Sequence, residues 1–149
     1  MDTIYSTFQA AKILDIEYVR LNEWLRGYFD PEQRAEGRGT RTKLSLNDLY
    51  RLKLFTLLLE SGLSREIAKD ICQQAKENKT SFSRGYIIAG KSRSADYFMF
   101  VLSDDLLDLN TKIRLTVDRT GKDLKMRFPI QIVISRPMIK ELVDSKLSD

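Results

Sequence analysis

Apolar residues recur at helical spacing along the first part of the chain. Thr7 is predicted to cap a helix that continues over residues 8–14, where apolar positions lie three and four residues apart. Asp15 interrupts this pattern, and a second short helix is expected over about residues 17–26. The stretch 28–44 contains a proline and glycines and lacks apolar periodicity, so it is predicted to be a loop or a short hairpin.

Two further helices are predicted after this loop, each behind a serine that can act as an N-cap. Ser45 precedes a strongly apolar helix, which Ser61 and Gly62 are expected to end. Ser64 then caps a fourth helix, which fades at about Asn78. The predicted buried stripes of these two helices consist of Leu46, Leu49, Leu52, Leu54, Phe55 and Leu58, and of Ile67, Ala68 and Ile71.

After residue 95 the pattern becomes that of β structure. Apolar runs of strand length predict strands over residues 97–102, 112–117 and 130–134. A final helix is expected from Pro137 to Leu147, because proline suits the first turn of a helix and apolar residues follow at helical spacing.

The order of these elements predicts an α+β protein with two parts. Residues 1–78 are predicted to form a domain of four helices, and residues 96–149 a small unit of strands and a helix. Residues 79–95 are interpreted as a basic linker, with a short strand at Tyr86-Ile87-Ile88 as the alternative. Because so small a sheet is marginal alone, the C-terminal unit is predicted to dimerise. Binding of an effector molecule is the alternative role for this unit.

The composition excludes several kinds of chemistry. Cys72 is the only cysteine and histidine is absent, which excludes disulfide frameworks, zinc fingers and triads that need imidazole. We therefore predict no catalytic residues, no metal and no cofactor, and an enzyme is the least expected function. Cys72 is interpreted as a small buried apolar residue. With no signal-like N-terminus and no run near the roughly 20 apolar residues of a membrane span, the expected location is the cytoplasm, without a membrane partner.

The positive charge of the chain is concentrated in two places. The net charge is +4, and the excess lies in Lys79, Arg84, Lys91 and Arg93, because acidic and basic residues cancel in the sequences on either side. The segment 37–43 adds three basic residues and no acid. Such stretches are candidate phosphate contacts, although short basic runs are also common in solvated loops.

The spacing of the first two helices indicates a helix-turn-helix. Two short helices that cross at a fixed angle need apolar side chains at a few set positions and a tight turn between them. Asp15 occupies the turn position, where a left-handed conformation is common and Asp tolerates it. Trp24 is assigned to the core rather than to base stacking. The packing positions are Ala10, Ala11, Leu14, Ile16, Leu21 and Trp24.

The order of helix, turn, helix, basic loop and two capped helices resembles the MerR-type winged helix-turn-helix DNA-binding domain. The resemblance covers about the first half of the chain. It is carried by Ser6-Thr7-Phe8-Gln9-Ala10-Ala11-Lys12-Ile13-Leu14, Trp24-Leu25-Arg26-Gly27-Tyr28-Phe29-Asp30-Pro31, Gly39-Thr40-Arg41-Thr42-Lys43-Leu44-Ser45-Leu46-Asn47-Asp48-Leu49 and Leu58-Leu59-Glu60-Ser61-Gly62-Leu63-Ser64.

The resemblance implies roles for particular residues. The exposed face of the second helix would meet the major groove through Tyr18, Arg20, Asn22 and Glu23, unless these form an ordinary solvated face. Basic residues of the loop, which would be the wing, would contact phosphates or the minor groove: Arg38, Arg41 and Lys43. Arg26 and Tyr5 would add contacts to the DNA backbone.

The sequence departs from the sensors of that family in its second half. No heptad repeat follows Asn78, so dimerisation through a coiled coil is not expected, and the cysteines of metal sensors are absent. The residues around Leu21 to Leu25 depart from the usual pattern of the family, so the side chains that reach the bases are assigned only to within about one position. We predict a homodimeric, sequence-specific transcriptional regulator of a prokaryote or a mobile element that binds double-stranded DNA. The alternatives are a phage-type packaging or excision accessory protein and an antitoxin-like protein adaptor.

Overall fold

The fold is described from a computed structural model, which describes residues 3–33, 42–91, 98–103 and 130–147. These ranges contain helices and strands in one chain and confirm the α+β class. The elements are α1 Thr7–Leu14, α2 Tyr18–Gly27, α3 Leu46–Glu60, α4 Arg65–Glu77, β1 Tyr86–Lys91, β2 Phe98–Ser103, β3 Ile130–Ser135 and α5 Arg136–Leu147.

Serine side chains begin three of the helices. Ser45 and Ser64 cap α3 and α4, as predicted. The prediction for α1 was wrong by one residue, because its N-cap is Ser6 and not Thr7. Ser6 Oγ accepts a hydrogen bond from the Gln9 amide at 3.1 Å, and Gln9 Oε1 accepts one from the Ser6 amide at 2.9 Å. This reciprocal pair satisfies two amides at the helix start, and Thr7 lacks a Gln or Glu three residues later.

The helices enclose an apolar core in which the aromatic rings of α2 and α3 meet. The Trp24 and Phe55 rings lie 4.9 Å apart between centroids, and both side chains are buried, as predicted for Trp24. The predicted stripe of α3 is buried except for Leu46, which is only half-buried in the first turn. Cys72 is buried in α4, where desolvation raises the pKa of its thiol to about 12.

The strands form an antiparallel sheet in the order β2-β1-β3. In the register, Ile87 of β1 lies opposite Leu102 of β2 and Ile134 of β3. The strands predicted at 97–102 and 130–134 are confirmed, and the one predicted at 112–117 lies outside the described residues. β1 lies within the segment interpreted as a linker, so there the short-strand alternative is the one the structure has.

The chain divides into two compact units. Unit 1 comprises Met1–Thr80 and Ile139–Asp149, and unit 2 comprises Ser81–Met138. The division therefore falls inside α5, whereas the sequence placed all of residues 96–149 in one domain. In unit 2, Arg136 donates from its backbone amide to Gly85 O and from Nη1 to Ser81 O, both at 3.0 Å.

Within unit 1, side chains of α5 bond to α3. The Tyr50 hydroxyl donates to Asp144 Oδ1 at 2.7 Å, and Lys140 forms an ion pair with the same carboxylate. Burial and the hydrogen bond to Asp144 raise the pKa of Tyr50 to about 12. Burial alone would raise the pKa of Asp144, but the hydrogen bonds from Lys140 and Tyr50 outweigh it and hold this pKa below its ordinary value. These bonds attach the end of the described chain to the helical unit.

Candidate nucleic-acid interface

The α1–α2 pair is two short helices joined by a tight turn. Asp15 is in the left-handed conformation (φ 55°, ψ 49°), as predicted for the turn. All the predicted packing positions on the two helices are buried, and Ile16 in the turn is half-buried. One face of α2 is thereby fixed against the core, which leaves the opposite face to solvent.

The outer face of α2 carries three residues at helical spacing, the second four positions after the first and the third three positions after the second. Val19, Glu23 and Arg26 lie on the side of the helix opposite Leu21 and Trp24, and all three are exposed. Val19 is 76% exposed, the highest value among the large hydrophobic side chains that the structure describes. The sequence prediction had omitted Val19, although its spacing from Glu23 and Arg26 places it on this face.

The other predicted contacts on α2 lie around this face. Tyr18 is 48% exposed, and its ring lies 6.1 Å from that of Phe8 on α1. Arg20 is exposed, whereas Asn22 is half-buried at the edge of the helix face. Arg20 is thus more accessible to a partner than Asn22.

Glu23 is held by a neighbouring helix. Its Oε1 lies 3.3 Å from Arg65 Nη1 at the start of α4. The Arg65 guanidinium also lies 5.5 Å from the centre of the Tyr28 ring. Both partners of the ion pair are well exposed, so water screens it and a ligand can displace it at small cost.

Arg26 lines a small polar cavity at the end of α2. The cavity has a volume of about 170 Å³. Its walls come from the end of α2, the segment after it, α3 and α4, and consist of Arg26, Gly27, Tyr28, Phe29, Asp30, Arg51, Lys69, Cys72 and Gln73. Two of the lining residues, Arg26 on α2 and Lys69 on α4, are basic and exposed.

A buried ion pair fixes both ends of the basic loop. Asp48 accepts hydrogen bonds from the Glu32 amide at 3.0 Å and from the Ser45 amide at 2.9 Å, and it forms an ion pair with Arg51. Arg51 Nη1 donates to Asp30 O at 3.2 Å. One carboxylate therefore joins the chain entering the loop to the chain leaving it.

The described part of the loop consists of its two ends. Lys43 is exposed, and its backbone forms an isolated antiparallel β-bridge with that of Gln33. Beside it, Tyr5 and Leu44 exchange backbone hydrogen bonds of 2.8 and 2.9 Å. Arg38 and Arg41, predicted as wing contacts, lie outside the described residues.

Within the ranges that the structure describes, no group of three or more potential ligands is placed to hold a metal ion. No helix in those ranges is long and apolar enough to cross a membrane. In comparisons with known proteins, no family model and no curated protein matches this sequence.

Proposed function

We propose that this protein binds double-stranded DNA in a sequence-specific manner, as a transcriptional regulator, through a MerR-like winged helix-turn-helix. One observation carries the proposal: α2 is packed on one side and presents a row of exposed side chains on the other. A helix held in this way after a tight turn has the form that enters the major groove.

The charges around α2 support this function. Arg20 and Arg26 are exposed on or beside the outer face, and Lys43 is exposed at the end of the basic loop. Arginine is well shaped for paired hydrogen bonds to guanine, and cations near the groove contact phosphates. In this function Arg20 reads a base, while Arg26, Arg38, Arg41 and Lys43 hold the DNA backbone. A homodimer would supply the second half-site that most such proteins need.

Selection of bound sequences from random duplexes with the full chain tests the proposal. We expect a defined sequence to be enriched and its affinity to fall steeply with salt. Failure to enrich any sequence, with no salt-dependent binding to duplex DNA, would overturn the proposal. A paired, symmetric motif would in addition support the dimer.

Single variants separate the two kinds of contact. Arg20→Ala should cost about 1–3 kcal/mol on the selected site and relax the preference at one base pair. Arg26→Ala should weaken binding to all sequences alike and lower the slope of affinity against salt by about one. Lys146→Ala is the matched control, because it removes one exposed charge from α5, far from α2 in sequence.

A further inference from the structure

Three exposed apolar side chains lie at the starts of α1 and α2. Phe8 is 65% exposed, Tyr18 48% and Val19 76%. The Phe8 and Tyr18 rings are tilted by 60° with centroids 6.1 Å apart, a contact geometry typical of aromatic pairs. We call Phe8, Tyr18 and Val19 the apolar tip.

The surroundings of the tip favour one kind of partner. On α2 it continues directly into Arg20, Glu23 and Arg26, which are exposed and charged. The major groove offers the matching mixture, because hydrogen-bonding base edges alternate there with the C5-methyl group of thymine.

We propose that Val19 contacts the C5-methyl group of a thymine in the major groove, so that the apolar tip selects a T·A base pair. This inference rests on the proposed DNA-binding function. Val19 carries no hydrogen-bonding group in its side chain, and its branched side chain has restricted rotamers, so it recognises a base by apolar contact alone. The Phe8 ring packs against Tyr18, the residue that precedes Val19 in α2.

Replacement of thymine by uracil tests the contact, because it removes the methyl group and keeps every hydrogen bond of the base pair. The duplex selected by the full chain is prepared with uracil at one thymine at a time. At one position per bound half-site, the unmodified protein should lose affinity by roughly fourfold, the value expected for one buried methyl group. Val19→Ala should bind the thymine and uracil duplexes equally at that position, and Val19→Ile should retain the preference for thymine.

Leu142→Ala is the control variant, since Leu142 is also an exposed apolar residue, on α5. It should keep the full preference for thymine. If uracil at every position leaves the affinity of the unmodified protein unchanged, the thymine contact is refuted while DNA binding stands. A uracil effect of full size in Val19→Ala refutes the assignment to Val19. If no duplex is selected and the Val19→Ala variant instead loses a protein partner, both the proposed function and this inference are overturned.

Discussion

Removal of the buried Asp48–Arg51 ion pair should strongly destabilise unit 1. Asp48 is fully buried and Arg51 is 3% exposed. In Asp48→Ala, the Arg51 guanidinium loses its charged partner and keeps Asp30 O at 3.2 Å and the Phe29 ring at 4.9 Å. The Glu32 and Ser45 amides lose their acceptor as well. Breaking a buried ion pair by removing one partner costs about 3–5 kcal/mol of unfolding free energy.

The magnitude can be tested with a double-mutant cycle. Arg51→Met removes the charge and keeps an apolar chain of similar length, so the double variant buries no unpaired charge. We expect Asp48→Ala with Arg51→Met to cost at least about 2 kcal/mol less than the sum of the single variants. Denaturant unfolding followed by fluorescence suits this measurement, because Trp24 is the only tryptophan and lies in the core of the same unit.

Two results would refute this reasoning about the ion pair. One is a loss below about 1 kcal/mol for Asp48→Ala, which would mean that the buried charge is compensated in another way. The other is strict additivity in the cycle, which would mean that the two side chains are not coupled. If Asp48→Ala is too unstable to fold, a folded double variant still shows the coupling.

Three further perturbations follow from the structure. Asp15 has a left-handed backbone conformation, so in thermal unfolding Asp15→Gly should leave the free energy of unfolding unchanged or raise it slightly, whereas Asp15→Val should lower it by about 1–2 kcal/mol. Equal effects of the two variants would contradict this conformation. Cys72, with its thiol pKa near 12 and its side chain buried, should react with a thiol reagent at pH 8 only as fast as the protein opens; immediate labelling would contradict its burial. Tyr50→Phe removes the hydroxyl that donates to Asp144 and should lower the free energy of unfolding by about 1 kcal/mol. The folded pKa of Asp144 is lowered, so its contribution to stability is present above the ordinary pKa of 3.8 and is lost as the pH falls through the folded pKa. Tyr50→Phe should weaken this dependence of the unfolding free energy on acid pH. An unchanged pH profile of unfolding would argue against the bond between Tyr50 and Asp144.

The helices could be predicted because their signals are local. Ser45, Ser64 and the left-handed Asp15 follow from residues within a few positions of each other along the chain. The N-cap at Ser6 was also readable, since Gln9 lies three residues later and completes a capping box. The strands at 97–102 and 130–134 were visible as apolar runs, whereas β1 was obscured by the basic residues and glycines around it.

The remaining features depend on contacts between distant residues. Asp48 and Arg51 look like the polar positions of an amphipathic helix. Only the fold shows that the Glu32 amide donates to Asp48 and that the Asp30 carbonyl accepts from Arg51. The bond between Tyr50 and Asp144 joins residues 94 positions apart, which no local pattern indicates. Helical spacing places Val19 on the outer face of α2, but how far its side chain is exposed depends on the packing of α1 and α2, which the sequence does not show.

The return of α5 to the helical unit has a consequence for how the protein is made. Unit 1 is built from two stretches of chain, with the whole of unit 2 encoded between them. During translation α1 to α4 therefore emerge well before α5, and the hydrogen bond between Tyr50 and Asp144 can form only after unit 2 has been synthesised. Within unit 2, residues near its two ends are hydrogen-bonded, from Arg136 to Ser81 O and Gly85 O, so folding of unit 2 shortens the loop that separates the two stretches of unit 1 and lowers the entropy cost of closing it. A fragment cut after Thr80 would lack the final helix and should be less stable than the same residues in the whole chain.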